Sequence, residues 1–110
     1  MAENDAISRL YEVVLARRAD PQPGSYTNYL FDSGLNKILK KVGEECAETI
    51  IAAKDGGREP IVAECADLIY HLLVMLAACG IDADEVMREL DARAKKTGNL
   101  KEMKKVDKDT

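Results

Sequence analysis

Apolar positions along this 110-residue chain recur every three to four residues, and no segment alternates with the two-residue period of a half-buried strand. The punctuation between these stretches divides the chain into about five helical pieces. In the first, Ile7, Leu10, Tyr11, Val14 and Leu15 mark one face of a helix from a cap at Asn4 or Asp5 to about Ala19. Asp20-Pro21-Gln22-Pro23-Gly24 then breaks it. Ser25 to Phe31 reads as a short helical or turn segment rich in hydroxyls, closed by Ser33-Gly34. Leu35, Ile38, Leu39, Val42, Cys46, Ile50 and Ala53 form the stripe of a long helix over about Leu35 to Lys54. Asp55-Gly56-Gly57 stops that helix, and another runs from about Glu59 or Pro60 to Cys79. So short a connection predicts an antiparallel hairpin. Asp82-Ala83-Asp84-Glu85 has the cap and third-position acid of a capping box, opening a last helix to about Thr97. The predicted class is all-α: a helical bundle built around the hairpin.

The third long helix has almost no polar face. Ile61, Val62, Cys65, Ala66, Leu68, Ile69, Leu72, Leu73, Val74, Met75 and Leu76 surround a single stripe of Glu64, Asp67 and His71. A helix of this kind is normally buried, and an unpaired buried carboxylate costs several kcal/mol, roughly, so Glu64 and Asp67 need cations or protons. On the preceding helix, Lys37, Lys41, Glu44 and Glu48 share a narrow arc with Glu45 at its edge. Alone, that arc fits a solvated face with Lys40–Glu44 and Lys41–Glu45 pairs. Folding the hairpin places Glu44, Glu45 and Glu48 opposite Glu64 and Asp67, and five acids at close quarters call for a neutralising cation. Hard oxygen donors, with no convergent histidine pair and no thiolate pair, favour Mg2+, with Mn2+ as a substitute. Mg2+ held this way commonly takes further ligands from phosphate oxygens, which points to nucleotide chemistry, with Lys37, Lys40 and Lys41 placed to hold outer phosphates.

Charge and composition narrow the classes further. The net charge is -4, and residues 95–110 hold six lysines against three acids, so residues 1–94 carry -7. This disfavours nucleic acid or an anionic membrane as partner. The apolar run from Leu68 to Cys79 is shorter than a membrane span, and the first twenty residues hold no uninterrupted apolar stretch, so a cytoplasmic protein is expected. Cys46, Cys65 and Cys79 form no C-x-x-C and read as small buried hydrophobes. Residues 1–98 are expected to form one domain and 99–110 a basic tail. A helix without a polar face, in a chain this small, also predicts completion of the bundle by a homodimer or higher homo-oligomer.

Three motifs carry a resemblance to a known family: Ser25-Tyr26-Thr27-x-x-Leu30-Phe31; Lys37-Ile38-Leu39-Lys40-Lys41-Val42-Gly43-Glu44-Glu45-x-x-Glu48; and Glu64-x-Ala66-Asp67-Leu68-x-Tyr70-His71-Leu72-Leu73-Val74. Together they closely resemble phosphoribosyl-ATP pyrophosphatase, within the all-α nucleotide pyrophosphatases marked by E-x-x-E followed by E-x-x-D. The resemblance implies hydrolysis of phosphoribosyl-ATP to phosphoribosyl-AMP and diphosphate, the second step of histidine biosynthesis, with Mg2+, in a cytoplasmic homo-oligomer. It implies metal ligation by Glu45, Glu48, Glu64 and Asp67, with Glu44 either a further ligand or the group that orients or deprotonates water. It also implies substrate phosphate or ribose contacts for Lys37, Lys41, Ser25, Tyr26 and Thr27. The chain resembles the free-standing form rather than the fusion with a cyclohydrolase, and its end follows the family only loosely, from Arg93 through Thr97-Gly98 to Glu102.

A di-iron carboxylate bundle would need E-x-x-H pairs, which Glu64-x-x-Asp67 followed by His71 does not supply. A non-catalytic helical interaction module would account for the apolar helix and leave the acids unexplained. His71 reads as a hydrogen-bonded core histidine, and Tyr26, Tyr29 and Phe31 as a packing cluster.

Overall fold

The computed structural model describes residues 5–96, and among them it holds five helices and no strand. The first, α1, spans Ala6–Ala19 and is capped by Asp5, whose carboxylate accepts from the Ser8 amide at 2.9 Å. Its last turn is fixed from outside: the Arg18 guanidinium donates to the Ala77 carbonyl and lies over the Phe31 ring at 5.3 Å. The segment after it becomes a true helix, α2, over Tyr26–Ser33, because the Ser25 hydroxyl accepts from the Asn28 amide and supplies the missing cap. Asn28 ties this start back to α1 by donating to the Arg17 carbonyl at 2.6 Å and accepting from the Gln22 amide at 2.9 Å.

Two long helices follow, α3 over Leu35–Asp55 and α4 over Arg58–Ala78. Gly56 closes α3 in the left-handed conformation, φ 86°, with its amide donating to the Ala52 carbonyl at 3.0 Å. Gly57 is the whole remaining connection, and Pro60 fits in the first turn of α4, where an amide hydrogen is not needed. The Thr49 hydroxyl, between the carbonyl oxygens of Glu45 (2.7 Å) and Glu64 (3.3 Å), stitches α3 to α4 well away from this turn. The last helix, α5, spans Ala83–Ala94 with Asp82 as cap, ending three residues before the predicted Thr97. Thr97, Gly98 and the predicted basic tail lie outside the described residues. Arg93 pairs with Glu89 at 3.0 Å on an exposed face of α5.

The core is built from Tyr11 and Val14 of α1, Leu30 of α2, Ile38 of α3, Leu73, Val74 and Ala77 of α4, and Ala83 and Met87 of α5. All of it lies against the end of the α3–α4 pair away from Gly56-Gly57. The other end is left uncovered by the described residues: Ile50, Ile51 and Val62 are 64, 58 and 63 % exposed. The expectation that α4 is buried on nearly every side is therefore not met within one chain. Cys46, Cys65 and Cys79, expected to be buried, are all exposed. By length and composition alone α4 could cross a membrane, with mean hydropathy 1.8 over its best window. Two acids near its middle, Glu64 and Asp67, oppose that placement.

Candidate active site

The α3–α4 pair brings three carboxylates together. One oxygen each from Glu45, Glu48 and Glu64 lies within 4.8 Å of the others. The i, i+3 spacing of Glu45 and Glu48 puts both on the face of α3 that looks toward α4, and the Thr49 hydroxyl fixes the separation of the two helices there. Glu45 is buried, 6 % exposed, and its Oε1 has no hydrogen-bond partner; Glu64 Oε1 is likewise buried and unpartnered. Two orphaned carboxylate oxygens facing a third acid form an unsatisfied arrangement, which a divalent cation would complete. Burial of its oxygen, and then the fields of Glu48, Glu45 and Asp67, push the Glu64 carboxyl above the usual carboxylate range.

Asp67 and Glu44 stand apart from this trio. Asp67, one turn along α4 from Glu64, is exposed rather than buried as expected, and its carboxylate is not among the three that converge. Glu44 is exposed on α3 and pairs with the Lys41 ammonium at 3.2 Å. Lys41 also reaches Glu45 at 3.9 Å, and its ammonium is held above the usual range chiefly by Glu44, against the opposing effect of desolvation. Lys41 is thus the one cation among the described residues in contact with the acid cluster.

Beside the cluster, Tyr26, Tyr29, Lys37, Lys40, Lys41 and Glu44 line a pocket of about 260 Å3. The Tyr26 and Tyr29 rings stack at 6.0 Å, and the Lys37 ammonium sits 5.6 Å from the Tyr29 ring centre and holds that phenol below its ordinary range. Burial pushes the Tyr26 phenol above its ordinary range, and Lys41 opposes it. Three lysines and two ring faces around one opening suit a ligand that is both polyanionic and aromatic. A larger cavity of about 660 Å3 lies between α1 and α5, lined by Glu12, Asp82 and Asp84 against Arg88 alone, which is paired with Asp84, so its net negative lining would repel such a ligand.

Ser25, Tyr26 and Thr27 do not act as a unit. Ser25 spends its hydroxyl capping α2, and the buried Thr27 shares a hydrogen bond with the Tyr70 hydroxyl, so only Tyr26 reaches the pocket. Tyr29 joins the pocket although the sequence placed it in a packing cluster. Its position three residues after Tyr26 on a helix was the available signal. His71 is the core histidine expected, 3 % exposed, but it also bonds the Tyr26 hydroxyl at 3.0 Å, a link across 45 residues that no local pattern announces.

Fold and site together define an all-α protein with a carboxylate cluster on two packed helices, flanked by a lysine-and-tyrosine pocket. The chain belongs to the phosphoribosyl-ATP pyrophosphohydrolase family, whose pattern matches residues 7–94. It is 56 % identical over 96 residues to a phosphoribosyl-ATP pyrophosphatase of Pelotomaculum thermopropionicum, covering 87 % of this chain and 98 % of that one. A phosphoribosyl-ATP pyrophosphatase of Clostridium acetobutylicum is 47 % identical over 102 residues, 93 % of either chain. A histidine biosynthesis bifunctional protein of Caldanaerobacter subterraneus subsp. tengcongensis is 48 % identical over 92 residues, 84 % of this chain and 45 % of its own.

Proposed function

We propose that this chain hydrolyses phosphoribosyl-ATP to phosphoribosyl-AMP and diphosphate in the cytoplasm, as the second step of histidine biosynthesis. The observation that carries the chemistry is the pair of buried, partnerless oxygens, Glu45 Oε1 and Glu64 Oε1, beside three lysines. A donor set of hard carboxylate oxygens fits Mg2+ or Mn2+. Glu45, Glu48 and Glu64 would hold the ion, with Asp67 joining them by a rotamer change or through water. Bound there, it would neutralise phosphate charge and polarise the phosphoanhydride.

The chain's own residues do the rest. Lys37, Lys40 and Lys41 bind the phosphate oxygens, and the stacked Tyr26 and Tyr29 rings bound the opening. Glu44, at the pocket wall and paired with Lys41, would orient the attacking water and take its proton once substrate phosphates compete for that lysine. The water oxygen forms a bond to phosphorus, the anhydride bond breaks, and diphosphate leaves. A second copy of this chain covers Ile50, Ile51 and Val62, giving the homo-oligomer that the bare end of α3–α4 calls for.

The deciding experiment compares phosphoribosyl-ATP with ATP and dUTP, measuring diphosphate release with and without Mg2+ or Mn2+. Release from phosphoribosyl-ATP only when the metal is present is expected. Equal cleavage of all three substrates would overturn the assignment.

A further inference from the structure

His71 is the only histidine in the chain, and both of its ring nitrogens are engaged. Nδ1 lies 2.8 Å from the Asp67 carbonyl oxygen, and Nε2 lies 3.0 Å from the Tyr26 hydroxyl. A carbonyl oxygen can only accept, so Nδ1 must carry a proton. Among the described residues no carboxylate is hydrogen-bonded to the ring, which is 3 % exposed, so a second proton would be a buried charge without a bonded counter-ion; the neutral ring, with Nε2 bare, is the form this geometry favours. A bare ring nitrogen can only accept, which assigns the hydrogen bond: Tyr26 donates to His71. Tyrosine has one hydroxyl proton. With that proton committed inward, the oxygen of Tyr26 has only lone pairs to offer the pocket.

The surroundings hold this arrangement in place. The His71 ring sits edge-on to Tyr70 at 5.0 Å and to Tyr26 at 5.7 Å. One residue along on each helix, Thr27 and Tyr70 share their own hydroxyl hydrogen bond, so the start of α2 is fastened to α4 at two adjacent points. Burial, with the fields of Glu45 and Asp67, keeps the Tyr26 phenol protonated, and Lys41, which opposes them, is paired with Glu44 and Glu45. A phosphate oxygen brought to Tyr26 would meet lone pair against lone pair. A sugar hydroxyl or an exocyclic amine would find an acceptor.

We propose that His71 is a positioning residue that fixes Tyr26 as an acceptor-only contact, so that Tyr26 recognises a proton-donating group of the nucleoside, a sugar hydroxyl or exocyclic amine, and not the phosphates. This deepens the proposed function and rests on its assignment of a nucleotide to the pocket. It divides the pocket by chemistry: the lysines take the phosphate chain, and Tyr26 reads the nucleoside.

The first half can be tested on the free protein, without substrate. Labelled with 15N at its single histidine, the protein should show the Nδ1–H tautomer, the minor form of free imidazole. An Nε2–H ring or an imidazolium at neutral pH would overturn the proposal, whatever the enzyme hydrolyses.

The second half uses direct binding of Mg-ATP and of Mg-diphosphate. Tyr26 is well exposed, so Tyr26→Phe should leave the fold intact and weaken ATP about three- to tenfold, the range for one neutral hydrogen bond, with diphosphate unchanged. His71→Phe should cost a similar factor and add nothing to Tyr26→Phe, while His71→Gln, whose amide oxygen reaches the Nε2 position, should recover much of it. Binding of 2′-deoxy-ATP, 3′-deoxy-ATP and ITP locates the donor: the wild type should discriminate against the analogue that lacks it, and Tyr26→Phe should not. An equal loss for diphosphate, or no loss for ATP, would overturn the proposal. Absence of phosphoribosyl-ATP hydrolysis alone would instead count against the assigned reaction and leave the tautomer result standing.

Discussion

The two ends of the α3–α4 pair are made from the same kinds of residue and have opposite surroundings. At one end Ile38 and Val74 are buried in the core shared with α1, α2 and α5; at the other Ile50 and Val62 stand mostly in solvent. The acids sit between them. The covered end gives the pocket its rigidity, because Asn28, Arg18 and the Thr27–Tyr70 pair fasten α2 where Tyr26 and Tyr29 begin it. The bare end provides an apolar surface with no counterpart among the described residues. An apolar face of this size on a small domain is normally covered, which favours a second copy.

The largest effect is expected where the two ends meet. Glu48→Gln keeps the size of the side chain and removes one of three converging charges, so turnover of phosphoribosyl-ATP should fall about a hundredfold or more while the helical circular dichroism stays unchanged. Asp67→Asn sharpens the geometry. A loss as large as that of Glu48→Gln would bring the exposed Asp67 into the working metal site, whereas near-normal turnover would confine the site to Glu45, Glu48 and Glu64.

The contrast between the ends can be broken by truncation. Leu30→Ala, in the enclosed core, should cost about 2–5 kcal/mol in urea unfolding, independent of protein concentration. Ile50→Asp changes a position that is 64 % exposed and should cost little in a dilute monomer, yet it should abolish the oligomer by analytical ultracentrifugation. If wild type and Ile50→Asp sediment alike, the bare end does not face another copy of this chain.

How much of this was legible beforehand follows the same division. The helix starts at Asp5 and Asp82 were readable because caps are local, each accepting from an amide two or three residues on; Ser25 caps α2 in the same way, although the sequence left that segment open between helix and turn. The trio of glutamates was legible from E-x-x-E, a two-glycine turn and an acid set about as far beyond it. Burial was not. Periodicity identifies which side of a helix is apolar but not whether the chain contains anything to cover it, so Cys46, Cys65 and much of α4 were expected inside and lie exposed. The division of labour among Ser25, Tyr26 and Thr27 was hidden for a related reason. Which hydroxyl turns outward depends on Asn28, Tyr70 and His71, and Tyr70 and His71 are more than forty residues away.

A smaller effect concerns the charge of the cluster without metal. The Glu64 carboxyl titrates above the ordinary 4.5 in the folded protein, so between that value and its folded pKa the folded state binds more protons than the unfolded chain. Stability of EDTA-treated protein should therefore fall as pH rises through this window, the repulsion being absent below it and fully present above it. Glu64→Gln should flatten the slope of Tm against pH, and Mg2+ should flatten it for the wild type by replacing repulsion with coordination. An unchanged slope in Glu64→Gln would mean that the cluster is not under electrostatic strain.

The smallest expected effect separates a cap from a contact. Ser25 accepts from the Asn28 amide and does not line the pocket, although the family resemblance places it among the substrate contacts. Ser25→Ala should remove about 1 kcal/mol of helix-capping stability, a fall of a few degrees in Tm. Because α2 is also fastened through Asn28 and Thr27, Tyr26 should keep its place and the KM for phosphoribosyl-ATP should change less than twofold, roughly, a loss smaller than one hydrogen bond. A variant with unchanged Tm and a KM raised tenfold would reverse the assignment, because a hydroxyl that leaves α2 intact when deleted, yet costs substrate affinity, must turn toward the ligand when the site is filled.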